Sequence, residues 1–179
     1  MPDLTRLPND LDAASGTCVA IIETPEGGCS KYDYDPVSGL FRLHSLLPEG
    51  MAWPIDFGFI PSTRAEDGDP QDIMVFADER CPIGALIPCR IVGAIEADQN
   101  GPHGRVRNDR ILGVAAVSHL YRQVRTLDGL HRNHIDALTA FWVEKGRIED
   151  KDFRVLGLKQ AKHAVELVRL ASAAARKPG

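Results

Sequence analysis

Glu66-Asp67-Gly68-Asp69-Pro70-Gln71-Asp72 runs directly into the apolar stretch Ile73-Met74-Val75-Phe76, and this junction decides how the chain is read. Glycine and proline restrict the backbone path between the acids, so the carboxylates point in defined directions. Carboxylates that converge repel unless cations lie between them, and hard oxygen ligands suit Mg²⁺, Mn²⁺ or Ca²⁺. The junction therefore reads as a metal site feeding into a buried strand.

Outward from it, Cys18–Thr24, Lys31–Asp35, Leu40–Leu46, Ile73–Ala77, Ile87–Ala97 and Ile111–Ala116 read as short strands. Turns rich in Gly and Pro separate them, at Pro25–Gly28, Ser38-Gly39, Pro48–Gly50 and Asn100-Gly101-Pro102. Many short strands at close spacing predict a small closed or partly open β-barrel. After Ser118 the period changes: Ile135, Leu138, Phe141 and Trp142 recur at helical spacing, as do Ala161, Ala164, Val165 and Val168 before a basic tail. The expectation is one α+β domain, a barrel with two packed helices, preceded by a peripheral arm over residues 1–16.

Composition is compatible with this. The chain has 179 residues, 44% hydrophobic and 26% charged, enough for one real core. A net charge of −4 gives no reason to expect nucleic acid as a partner. No apolar stretch reaches the roughly 20 residues that span a bilayer, and Met1–Arg6 carries no secretory pattern. Cys18, Cys29, Cys81 and Cys89 lack C-x-x-C spacing, which favours reduced thiols in a cytoplasmic protein.

Strand alternation places Lys31, Asp33 and Asp35 on one face, and Arg42 with His44 on another. These are either the wet faces of two strands or the polar lining of one cavity.

At this point the chain resembles the soluble, family I inorganic pyrophosphatases. Asp67-Gly68-Asp69-Pro70-Gln71-Asp72 reproduces their D-G-D-P-x-D signature. Ile21-Ile22-Glu23-Thr24-Pro25 is similar to the first strand with its glutamate, and Lys31-Tyr32-Asp33 to K-Y-E. Trp53–Ile60 resembles Y-P-x-N-Y-G-Y-I, and Arg90–Gly93 matches R-x-x-G. The resemblance covers roughly residues 18–170. It implies a barrel of the oligonucleotide/oligosaccharide-binding kind and Mg²⁺-dependent hydrolysis of pyrophosphate to two phosphates, with Mn²⁺ or another divalent ion as a substitute. Hydrolysis of another phosphoanhydride and non-catalytic phosphate or metal binding are the alternatives. It also implies a homo-oligomer, commonly a hexamer.

Carried over by position, the resemblance makes Asp67 and Asp72 metal ligands, with Asp72 bridging two ions, and Asp69 the carboxylate that takes a proton from the attacking water. Lys31 would bind a phosphate oxygen, and Glu23 would support the metal and water shell. Several positions depart from the pattern. Asp33 replaces a glutamate, and His44 aligns with a phosphate-binding arginine that Arg42, on the same face, would replace. Trp53 and Phe57 replace tyrosines. Asn108 falls where a metal-binding aspartate belongs and Arg110 where a lysine does, with Asp109 available only on a register shift. For a further metal aspartate, Asp98 fits with a one-residue gap and Gln99 without one, while Glu96 shares the face of Asp98. Lys145 is the nearest equivalent of the helical Tyr-Lys pair, without its tyrosine.

Overall fold

The acidic junction becomes a loop followed by a strand whose side chains alternate between two cores. Ile73 and Val75 join one cluster, Met74 and Phe76 the other. The computed structural model describes residues 2–101 and 103–176. Its strands are β1 (Thr17–Thr24), β2 (Ser30–Asp35), β3 (Leu40–Leu46), β4 (Asp56–Ile60), β5 (Gln71–Phe76), β6 (Leu86–Gly101), β7 (Gly104–Arg107), β8 (Arg110–Ala115) and β9 (Arg154–Gln160). The helices are α1 (Arg132–Ile148) and α2 (Ala161–Ala175).

The pairings close on themselves. β1 pairs β4, β4 pairs β5, β5 pairs β8 in parallel, β8 pairs β6, and β6 returns to β1. This ring answers the barrel expectation, and the two helices complete an α+β fold. The long strand β6 serves four neighbours, pairing β1 and β8 with its first half and β9 and β7 with its second. β2 and β3 form a separate hairpin.

Each helix seals one face of the strands. α1 sets Ile135, Leu138, Phe141 and Trp142 against Trp53, Phe57, Met74 and Leu112. α2 sets Ala164, Val165 and Val168 against Ile22, Ile73, Cys89 and Ile91. The helical periods read from the sequence are buried positions except at Ala161, which is half-buried at the start of α2. The four cysteines are free, and Cys18 lies opposite Cys89 in the β1–β6 register. The arm packs rather than dangles: Leu4 and Leu7 contact a cluster of Ile21, Tyr34 and Phe59, and Asn9 donates to Ser172 Oγ at 2.9 Å. Of the basic tail, Arg176 is described, while Lys177 lies outside the described residues, as does Pro102 of the expected turn.

Three strands were not foreseen from alternation. β4 is interrupted by Gly58, β7 is only four residues long, and β9 lies beyond the switch to helical spacing. Gly58 is where β4 touches β1 most closely: a Cβ there would lie 1.9 Å from the Ile21 carbonyl oxygen. The β1–β4 register shifts between Ile22 and Thr24, so Glu23 is the extra residue of a bulge.

No helix of the described residues is long and apolar enough to cross a membrane.

Candidate active site

Parity places the chemistry. Asp72 shares its face of β5 with Met74 and Phe76, and Arg110 shares its face of β8 with Leu112 and Val114, all four on the α1 side. Where those strands begin, ahead of the packed core, Asp72 and Arg110 face a cavity.

Two adjoining spaces make up that cavity. One, of ≈ 140 Å³, is lined by Lys31, Phe57, Asp67, Asp69, Asp72, Gln99, Asn108, Arg110, Lys145, Glu149 and Lys151, among others. The other, of ≈ 350 Å³, adds Glu23, Asp33 and His44 and shares Lys31, Asp69, Asp72, Glu149 and Lys151. A larger hollow of ≈ 560 Å³ lies behind the acidic loop, against the N-terminal arm, and contains none of these acids.

The acidic loop is shaped by Gly68, whose φ of 95° lies in the left-handed region. The turn lets the Asp69 N–H donate to Asp67 Oδ1 at 3.2 Å and the Ala65 N–H donate to the Asp69 carbonyl at 2.8 Å. Among the described residues nothing donates to the Asp69 carboxylate, which faces both spaces. Asp67 is pushed up to about 6, first by burial and then by the charge of Asp72. Asp72 is also raised by burial, against the pull of Arg110 and Lys31. These acids are short of positive charge, which is the condition a hard divalent cation relieves. Among the described residues no three His, Cys, Asp or Glu side chains converge closely enough to hold an ion by themselves.

The three cavity lysines are paired with two acids. Lys31 pairs with Asp33, whose other oxygen lies 2.6 Å from His44 Nδ1. Lys145 pairs with Glu149 at 2.5 Å, and burial pulls its pKa down to about 8. Lys151 reaches the same glutamate at 3.3 Å. Phe57 lines the cavity and stacks on Trp53, with ring centroids 5.2 Å apart, so one tyrosine replacement forms the apolar floor and the other lies buried beneath it.

Glu23 is brought in by its bulge. Its Oε1 accepts from the Tyr34 N–H at 2.7 Å, and burial raises it to about 7 despite that bond and Lys31. A raised carboxylate binds its proton more tightly folded than unfolded, so its stabilising effect is full below the ordinary value of 4.5 and is lost as pH rises to about 7. In chelator, Glu23→Gln should therefore match the parent melting temperature near pH 4.5 and exceed it increasingly up to pH 7. Thermal melts across that window check this, and a constant difference would contradict it.

Not every expected residue arrives. Arg42 is 75% exposed, 3.7 Å from Asp35, and lines neither space, whereas His44 does. Asp98 turns away and bonds Arg105 at the β6–β7 hairpin, leaving Gln99 on the cavity side. Glu96 is tied to Arg107, Lys159 and His163 at 3.1, 3.3 and 2.9 Å. Asp109 faces Arg107 and the Ala97 N–H, so no register shift delivers it to the cavity. Asn108 does face inward. Glu149 and Lys151 were missed, and the Lys145–Glu149 spacing of one helical turn was the available signal.

Comparison with known proteins agrees with this architecture. The family model of inorganic pyrophosphatase matches residues 20–176. An inorganic pyrophosphatase from Synechocystis is 33% identical over 166 residues, covering 93% of this chain and 95% of the relative. One from Thermus thermophilus is 32% identical over 173 residues, covering 94% and 95%. The crystal structure of the inorganic pyrophosphatase from Thermus thermophilus superposes with a TM-score of 0.88 at 29% identity, covering 98% of this chain and all of that one. The match spans ring, helices and acidic loop together, and the chain belongs to the inorganic pyrophosphatase family.

Proposed function

We propose that the chain hydrolyses inorganic pyrophosphate to two phosphates with a divalent cation, Mg²⁺ by preference. The observation that carries this is the cavity itself, where Asp67, Asp69 and Asp72 face Lys31, Arg110, Lys145 and Lys151 across a space sized for a small anion. Asp67 and Asp72 would hold the cation, with Asn108 supplying a neutral oxygen. Bound there, a divalent cation neutralises phosphoryl oxygens and makes an attacking water more acidic.

The chain's own groups do the rest. Lys31, Arg110, Lys145 and His44 bind phosphoryl oxygens and stabilise the charge that grows on the leaving phosphate. Asp69, with no protein donor on its carboxylate among the described residues, accepts the proton of the water that attacks phosphorus. The bond to the bridging oxygen breaks, and the electron pair leaves with the second phosphate. Glu23 and Asp33 orient water and lysine at the margin. Phe57 offers no hydroxyl, so it shapes the floor without gripping substrate. Arg42 and Asp98 are left without a part, since their side chains lie elsewhere.

The same reading carries a cytoplasmic setting and a homo-oligomer, a hexamer by family resemblance. The exposed Leu156 and Leu158 on β9 support self-association.

Phosphate release from pyrophosphate with Mg²⁺, compared with nucleoside triphosphates and short polyphosphates, tests the proposal. Pyrophosphate should be the preferred substrate, and chelation should abolish turnover. Release no faster than from Asp69→Asn would sink the enzyme reading, and faster cleavage of triphosphates would reassign the substrate.

A further inference from the structure

Arg110 is the most enclosed cation of the cavity, its side chain only 5% exposed. The guanidinium carbon lies 4.1 Å from the Trp142 ring centroid, 5.5 Å from Phe153 and 5.9 Å from Phe57. Three aromatic rings fix the plane of the group and hold it where it is.

Its partner matters more than its depth. Nη1 lies 2.5 Å from Asp72 Oδ2 and also donates to the Asn108 side chain. Lys31 and Lys145 are matched to Asp33 and Glu149, acids at the rim. Arg110 alone is matched to an acid assigned to the cation. A divalent ion at Asp72 must therefore compete with a guanidinium for that carboxylate, and the Gln99 and Asn108 amides that line the same space add no charge to hold the ion. The cage prevents the guanidinium from withdrawing. Its Nε is buried without a partner, and Nη2 bonds no protein atom among the described residues. Nη1 is thus held by Asp72 and Asn108, and Nη2 is left to meet a ligand.

We propose that Arg110 couples cation loading to anion arrival: clamped beneath Trp142, it competes with a divalent ion for Asp72 until a phosphate or diphosphate engages its Nη2 and weakens that hold. Cation and anion then bind cooperatively, and linkage makes the coupling reciprocal. This rests on the assignment of Asp72 to the cation made above. It adds that this arginine opposes the cation before substrate arrives, in addition to gripping phosphate.

The test is calorimetric titration of the full chain with Mn²⁺, with and without inorganic phosphate, in parent, Arg110→Met and Arg110→Lys. Without phosphate, Arg110→Met should bind Mn²⁺ about tenfold more tightly, because a neighbouring opposite charge no longer competes. Arg110→Lys keeps the charge and should stay within about threefold of the parent. Phosphate should tighten Mn²⁺ binding in the parent by more than in Arg110→Met. Equal or weaker Mn²⁺ binding by Arg110→Met overturns the proposal. Should that variant not fold, the parent decides: Mg²⁺ titration followed by ¹⁵N spectra of arginine side chains must shift the Arg110 guanidinium signal, and an unmoved signal refutes the competition. Neither readout uses turnover. A parent inactive on pyrophosphate would defeat the proposed function and leave this result standing on its own.

Discussion

Replacing Asp69 by asparagine is expected to lower kcat by about 10²–10⁴-fold, the usual worth of a positioned proton acceptor. Asparagine keeps the shape and one acceptor oxygen but takes up no proton at neutral pH. The fold should tolerate it, because nothing among the described residues donates to the Asp69 carboxylate, while the turn is held by its backbone N–H and carbonyl. The melting temperature should therefore move by no more than about 2 °C. The Mg²⁺ concentration for half-maximal activity should stay within about threefold of the parent, since Asp67 and Asp72 remain in place. Asp72→Asn gives the contrast, raising the Mg²⁺ requirement. Steady-state kinetics over a Mg²⁺ series separate the two. An Asp69→Asn variant that kept more than about a tenth of parental kcat would remove Asp69 from the role of proton acceptor.

The prediction rests on a motif that was readable because its geometry is local. Gly68 and Pro70 fix the loop, and the apolar run after Asp72 fixes the strand, so parity alone puts Asp72 on the same face as Met74. The helical faces were readable for the same reason. Residues placed by longer-range geometry were harder. Glu23 enters the cavity through a bulge that depends on how closely β4 approaches β1, and no spacing within β1 reveals it. Asp98 and Gln99 differ only in parity, which the pairing of β6 with β7 decides; the charge of Asp98 belongs to Arg105. Arg42 and His44 share strand parity in the sequence, yet the register shift between Lys31 and Tyr32 twists the hairpin so that only His44 lines the cavity. Lys151 arrives through the tight reversal after α1, where Asp150 and Asp152 adopt left-handed φ values of 57° and 44°.

The second large effect is on stability. Gly58→Ala is expected to destabilise the fold by about 3 kcal/mol or more, at the upper end of overpacking costs. The cause is space: the added methyl would sit 1.9 Å from the Ile21 carbonyl oxygen and 2.9 Å from Ile22 Cα, both backbone atoms of the paired strand. Neither can rotate aside, so β1 and β4 must separate where the ring closes. For a chain of this length that corresponds to a fall of roughly 6–12 °C in melting temperature. Gly157→Ala in β9 is the control, because a Cβ there meets nothing within 4 Å. It should be neutral or slightly stabilising, by less than about 1 kcal/mol. The consequence extends to the site. Separation of β1 from β4 relaxes the bulge that aims Glu23 and shifts Phe57, which forms part of the cage around Arg110. Activity at temperatures where the variant is still folded should therefore fall as well, while Gly157→Ala keeps parental kcat/KM. Melts and kinetics on the two variants decide this. Equal losses in both would mean that general strand flexibility, and not the contact at Gly58, sets the stability of the ring.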